Sequence, residues 1–194
     1  MRFIAAMTLA CALGACASGN IGTPLSGAGE WKVEQRADRV ADQPVQSAVL
    51  LTRSRNENVA RQKPADLQQT SLQLLCFDGD PVVRFFFSHD VGSNRNSRLA
   101  YRFDGRPAVR PNARVLQDFQ TVMLEDRADV VTFVNGLREA KRLDITMGSL
   151  NSGNTIAEFN VEGGAAAIEA SYKTCPLPAA PPPRVGGRSA KGAR

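Results

Sequence analysis

The chain has 194 residues, with 24 Lys and Arg against 19 Asp and Glu, a single His, four Cys and a hydrophobic share of 43%. That is the size of one ordinary domain with tails, apolar enough to bury a core, and it excludes disordered, collagen-like and coiled-coil classes. No apolar run reaches the roughly 20 residues that a helical membrane span needs, which excludes a polytopic membrane protein.

Residues 1–15 read MRFIAAMTLACALGA: one Arg, then a short apolar stretch ending in small side chains. This pattern predicts a secretory signal and not a span. Leu13, Gly14, Ala15 and Cys16 resemble the bacterial lipobox, a branched apolar residue and two small ones ahead of a Cys. The resemblance implies that the Cys16 thiol is joined to diacylglycerol, that the signal is cut just before it, and that the new amine is acylated. The competing reading is an ordinary cleaved signal ending at Ala17. Ala17 follows the Cys where an Asp commonly marks inner-membrane retention, so the resemblance further implies the periplasmic face of the outer membrane. More than one acyl chain makes such an anchor stable, since a single one is marginal. Residues 16–30, small, polar and turn-rich, are expected to be a spacer between anchor and fold.

Residues 176–194 carry Arg184, Arg188, Lys191 and Arg194 with no acid, behind the Pro-rich PLPAAPPPR. Taking away Arg2 and these four leaves 19 basic against 19 acidic residues between signal and tail, so the folded part is close to neutral. The basic excess therefore belongs to an expected disordered, polyproline-like tail and argues for no nucleic-acid groove. The tail is read as a solubilising segment, with a weak tether to anionic envelope polymers or head groups as the sharper alternative.

Within 31–175, short strands are predicted at 31–34 and 48–53, and the polar stretch 56–69, holding Pro64, is expected to be a loop. Residues 71–77 and 82–88 are two β-rich runs joined through Asp78-Gly79-Asp80-Pro81, which reads as a hairpin. The period of two puts Leu72, Leu74 and Cys76 on one face, and Val83, Phe85 and Phe87 likewise. Residues 98–103 alternate again, with Leu99, Tyr101 and Phe103 together, and Asp104-Gly105 closes that strand. Further strands are predicted at 113–119, 121–125, 143–147 and 155–161.

Two segments switch to helical period. In 128–141, Val130, Phe133, Val134 and Leu137 share a face, with Asp126 and Asp129 near the start and Arg138, Lys141 and Arg142 near the end, as the helix dipole favours. In 165–173, behind Gly163-Gly164, the residues Ile168, Tyr172 and Cys175 fall on one side. The predicted fold class is α+β: mainly an antiparallel sheet or sandwich with two helices late in the chain and one disulfide.

Cys11 leaves with the signal and Cys16 is spent on lipid, so Cys76 and Cys175 remain and are expected to pair in an oxidising periplasm. A free catalytic thiol is the alternative, with His89 the one available base. His89, beside Asp90, is read as a surface residue and not as part of a Ser-His-Asp set, since no G-x-S-x-G elbow is present. Asp78 and Asp80 fit a tight turn better than a Ca²⁺ or acid/base pair. Arg84, Arg98 and Arg102 are read as a solvated polar face, with carboxylate or phosphate binding as the alternative. No phosphate loop or His-rich zinc pattern occurs, so no catalytic, cofactor-binding or metal-binding residue is assigned.

Read in order, the Trp31 strand, LQLLCFDGDPVVRFFF at 72–87, LAYRFDGRPAV at 99–109, FVNGLREAKRLDI at 133–145 and AEFNVEGGAAAIEASYKTC at 157–175 resemble the VasI/TagO-like accessory proteins of type VI secretion. The resemblance covers about 31–175 and implies a small exported protein, non-enzymatic, with Cys76 and Cys175 in the two Cys blocks. It implies an accessory with an envelope protein partner and supplies no catalytic residues. Two other expectations stand beside it: an envelope ligand-binding or stress lipoprotein unrelated to secretion, and an envelope hydrolase whose site the sequence does not reveal.

Overall fold

A computed structural model describes residues 23–24, 30–37, 44–62 and 67–177. The expected signal, Cys16, most of the expected spacer and nearly all of the Pro-rich tail lie outside the described residues. The elements run β1 (Thr23–Pro24), β2 (Lys32–Ala37), β3 (Pro44–Asn56), α1 (Glu57–Gln62), β4 (Gln68–Phe77), β5 (Asp80–Phe87), β6 (Ser97–Phe103), β7 (Ala113–Val115), β8 (Thr121–Leu124), α2 (Arg127–Leu137), β9 (Arg142–Ser149), β10 (Thr155–Asn160) and α3 (Gly164–Ser171). The α+β class holds, and its sheet is antiparallel throughout and nearly closed on itself as a barrel.

Strand order around the barrel is β6-β9-β10-β3-β4-β5-β8-β7, with β2 pairing the first half of β3 and β1 pairing β2. β3 is long enough to serve two neighbours on one edge, β2 along 44–49 and β10 along 54–56. The ends of the order, β6 and β7, share no ladder, and an isolated bridge pairs Tyr101 of β6 with Val109, ahead of β7.

The alternation read from the sequence defines the barrel interior. Leu72 and Leu74, Val83, Phe85 and Phe87, Leu99, Tyr101 and Phe103 are all buried in one cluster. The hairpin of β4 and β5 turns at Asp78-Gly79, with φ of 51° and 82°, the left-handed pair that matches strand twist and that Asp-Gly tolerates. Asp104-Gly105 makes a second such turn, and the Asp104 carboxylate accepts the N–H groups of Lys141 and Arg142, tying β6 to the start of β9.

α2 buries the four residues its period singles out, and Phe133 packs edge-on against Phe85 and Tyr101. The helix stops at Leu137, short of the expected 141, because the chain must turn there into β9. α3 packs on β2, β3 and β4 and touches α2. Its Ser171 hydroxyl accepts the N–H of Ala48 at 2.8 Å, and the Tyr172 hydroxyl donates to the carbonyl of Val82 at 2.8 Å. Cys76, at the end of β4, is bonded to Cys175 just past α3, with 5.9 Å between Cα atoms. The two helices thus close the barrel end that holds Cys76, and the expected disulfide is present.

Two expectations need correction. Residues 56–69 are not a plain loop, since β3 runs on to Asn56, β4 begins at Gln68 and α1 forms between them. The Asn56 side-chain Oδ1 accepts the N–H groups of Asn58 and Val59, which caps α1, and Glu57 and Arg61 suit its dipole. Strand β7 also ends at Val115, not Phe119, because the Asp118 carboxylate takes the N–H groups of Gln120 and Thr121 and sets a turn with Phe119 at φ 57°.

Candidate functional site

Three places bear on function: the polar end of the barrel, the Asp-Gly hairpin turn, and the seam where the barrel fails to close.

At the end opposite the helices, the inward positions change from apolar to polar. Ser54 and Asn56 of β3, Thr70 of β4, Ser97 of β6 and Thr155 of β10 are buried there. Their bonds fall into separate groups, Ser97 donating to the carbonyl of Val91 at 2.9 Å. Thr70 donates to Ser54 at 2.7 Å, Ser54 to the carbonyl of Gln68, and the Asn56 amide to Thr155 at 2.8 Å and the carbonyl of Ser152 at 2.9 Å. His89 follows Phe87 on the inward side of β5, and its Nε2 lies 2.8 Å from the Thr155 hydroxyl. The single His is therefore half-buried and part of this seal, which corrects its reading as a surface residue. Burial holds its pKa below the ordinary value, and the nearby Asp90 carboxylate opposes that shift. Its Nδ1 is buried without a hydrogen-bond partner. The geometry orients His89 through the Thr155 hydroxyl, which is fully buried and already accepts from the Asn56 amide.

Asp78 and Asp80 flank Gly79 in the hairpin turn, and Asp80 faces the exposed Arg127 at 3.7 Å. Among the described residues, no three His, Cys, Asp or Glu side chains converge as metal ligands would.

The seam carries a hollow of about 810 Å³, a volume in the range of ligand sites. One side is the first half of β6 with Ser97, Arg98 and Leu99, preceded by Asn94. The other is the run from Arg110 through Pro111, Asn112 and Ala113 to Arg114, backed by Met123, Glu125 and Asp126. The Tyr101–Val109 bridge closes one end, with Tyr101 N–H to Val109 carbonyl at 3.0 Å and the reverse bond at 2.7 Å. At the other end the Asn94 side chain reaches across to accept the N–H of Val115.

Of the three arginines considered together, the fold brings two to this region. The register aligns Arg84 of β5 with Met123 of β8, and Met123 with Arg114 of β7, in one outward row, and Arg98 stands across the slot from Arg114. Arg102 lies elsewhere, paired with Asp144 of β9 at 2.9 Å. Arg114 is bound to Glu125 through its guanidinium, with Nε to Oε2 at 2.8 Å, which holds the Glu125 carboxyl below its usual range. Asp126 is spent on capping α2, accepting the N–H groups of Ala128 and Asp129 at 2.9 and 3.1 Å. The Asp129 carboxylate in turn holds the N–H of Asn112 at 2.9 Å. Sequence reasoning missed Asn94, Arg110 and Arg114. Arg110 lies between strands and Asn94 before one, so no periodicity marks either, and only strand order makes all three neighbours.

Compared with known proteins, the chain matches no family model, no curated protein and no solved structure.

Proposed function

We propose that the chain is a lipid-anchored periplasmic accessory of the bacterial outer membrane that works by binding an envelope protein, in the manner of the VasI/TagO-like accessories of type VI secretion that it resembles. Cys16 is the lipid attachment point in this reading, and the domain does no chemistry of its own. The observation that carries it is the open seam between β6 and β7, a binding slot on a barrel whose inside is packed with side chains. The Cys76–Cys175 bridge supports export, because such bonds persist in oxidising compartments. A tether near the membrane raises the effective concentration of the slot for anything else anchored there.

Two measurements test it. Cys16→Ser should abolish palmitate labelling, and labelling that survives the substitution refutes the anchor. Cross-linking in cells should recover an envelope protein with the wild-type chain and lose it with Cys16→Ser. An unchanged pattern, or recovery of nothing, refutes the tethered accessory.

A further inference from the structure

We propose that the seam accepts an extended, acidic segment of a partner polypeptide as an added strand between β6 and β7. The inference rests on the binding role proposed above and names the chemistry of its partner.

The backbone makes the slot. Continuing the Tyr101–Val109 register would set Leu99 against Pro111 and Ser97 against Ala113. Pro111 has no N–H to give, and the Asp129 carboxylate draws the N–H of Asn112 toward the start of α2. The chain therefore leaves β6 where the ladder should have continued. In an antiparallel pair, successive residues turn their peptide groups to opposite edges. Tyr101 spends both of its groups on Val109, so Leu99, two residues back, also points its N–H and carbonyl away from β9 and into the slot. On the facing side, the N–H of Val115 points at Asn94, so Ala113, two residues back, presents its groups to the same slot. The Asn94 amide oxygen already plays the part of a strand carbonyl at one position. With Tyr101 engaged by Val109 and the Ser97 carbonyl by Arg98, the open edge centres on Leu99 and suits a segment of about three residues at roughly 3.3 Å each.

Only a peptide matches two edges that alternate donors and acceptors. Charge then selects its composition. The acids of the slot are engaged, Glu125 by Arg114, Asp126 by the cap of α2 and Asp129 by Asn112. The Arg98 guanidinium meets only the carbonyls of Asn94 and Ser97, at 3.2 and 2.9 Å. Arg110 and, in the adjoining hollow of about 430 Å³ that shares Arg98, Arg95 have no ion-pair partner among the described residues. Backbone N–H groups leave the charge of Asp126 and Asp129 in place, so Arg95, Arg98, Arg110 and Arg114 stand against Glu125, Asp126 and Asp129, an excess of one positive charge. An inserted strand with carboxylates on alternate residues sets them on one face, toward these guanidinium groups.

The test uses the mature chain and a fluorescent hexapeptide alternating Glu with Val, followed by anisotropy. Saturable binding is expected, with at least a tenfold loss in Arg98→Glu/Arg110→Glu and in a peptide whose Glu residues are replaced by Lys. A peptide N-methylated at alternate residues, which keeps its charge and loses its strand donors, should not bind. Amide exchange at Leu99 and Ala113 should slow on saturation. Both arginines are exposed, and the methylated peptide leaves the protein untouched, so a folding defect cannot imitate the result. No saturable binding at millimolar peptide overturns the inference, as does binding indifferent to N-methylation or to the two arginines. Failure here beside an intact anchor-dependent cross-link in cells refutes strand addition alone, whereas loss of both refutes the binding role with it.

Discussion

Replacing Cys76 and Cys175 by Ala removes a link between residues 99 apart that ties the end of β4 to the segment after α3. Closing a loop of this length in the unfolded chain is worth about 4.7 kcal/mol when that chain is featureless. It is not featureless here. The Asp78-Gly79 turn with β5 and the capped helix α2 are local structures inside the loop that survive partly in unfolded ensembles. The expected loss is therefore about 3–4 kcal/mol. Roughly 140 described residues, at about 2.1 cal/mol/K each, unfold with an entropy of ~0.3 kcal/mol/K. The loss then lowers Tm by about 10–13 °C.

The native fold should survive the change, because α3 keeps its bonds from Ser171 to Ala48 and from Tyr172 to Val82 and its buried Ile168. Calorimetry of wild type, wild type with reductant and the double variant distinguishes the terms. Reductant should bring the wild type to the variant's Tm and leave the variant unmoved. A Tm change under ~4 °C would show that the unfolded chain is already confined without the bridge, and the entropic account would be wrong. A further fall of the variant in reductant would assign the effect to something other than this bond.

Gly136→Ala on α2 gains up to about 1 kcal/mol of helix propensity, but its new Cβ would stand 2.6 Å from two ring carbons of Phe103, a ring packed on Tyr101 and Phe133. Overpacking of about 1–3 kcal/mol outweighs the gain, so urea denaturation should show net destabilisation, and a stabilised variant would contradict the packing of α2. Asp126→Ala removes the oxygen that accepts two N–H groups at the start of α2 and should cost about 1 kcal/mol, largely restored in Asp126→Asn; equal loss in both variants would assign the effect to charge and not to the cap. His89 has its pKa lowered by burial, so the unfolded chain binds its proton first as pH falls. Stability should be full above about pH 6.5 and fall below it through the depressed folded value, and His89→Gln should flatten Tm between about pH 5.5 and 7.5; parallel profiles for the two proteins would show that His89 is as solvated folded as unfolded.

Much of the fold was legible because its determinants are local. Alternation named the inward residues of β4, β5 and β6, Asp-Gly pairs named two turns, and the spacing of Ile168, Tyr172 and Cys175 placed the last Cys on the packed side of α3. Closure into a barrel was not legible, since it depends on β3 sharing one edge between β2 and β10, a pairing between residues some 100 apart with no pattern of its own. α1 escaped notice because its cap is Asn56, a residue that also suits a loop. His89 was misread for a related reason: a His after Phe87 marks the end of an apolar strand, and only the arrival of Thr155 from β10 turns that end into an interior.

The same packing bears on the binding role proposed for the barrel. A carrier of small ligands keeps room inside, yet Phe85, Phe103, Phe133, Tyr101 and Leu72 meet within this interior, α2 and α3 close one end, and the Thr155 network seals the other. The space lies in the wall, where Pro111 and the Asp129 hold on Asn112 leave strands β6 and β7 apart. A gap in the wall differs from a cavity in what it offers. A cavity selects by volume and apolar lining, while a gap between strand edges offers unpaired peptide groups, which are costly to leave dry and readily satisfied by another backbone. Wall and interior thus support the proposal of a polypeptide partner at the seam.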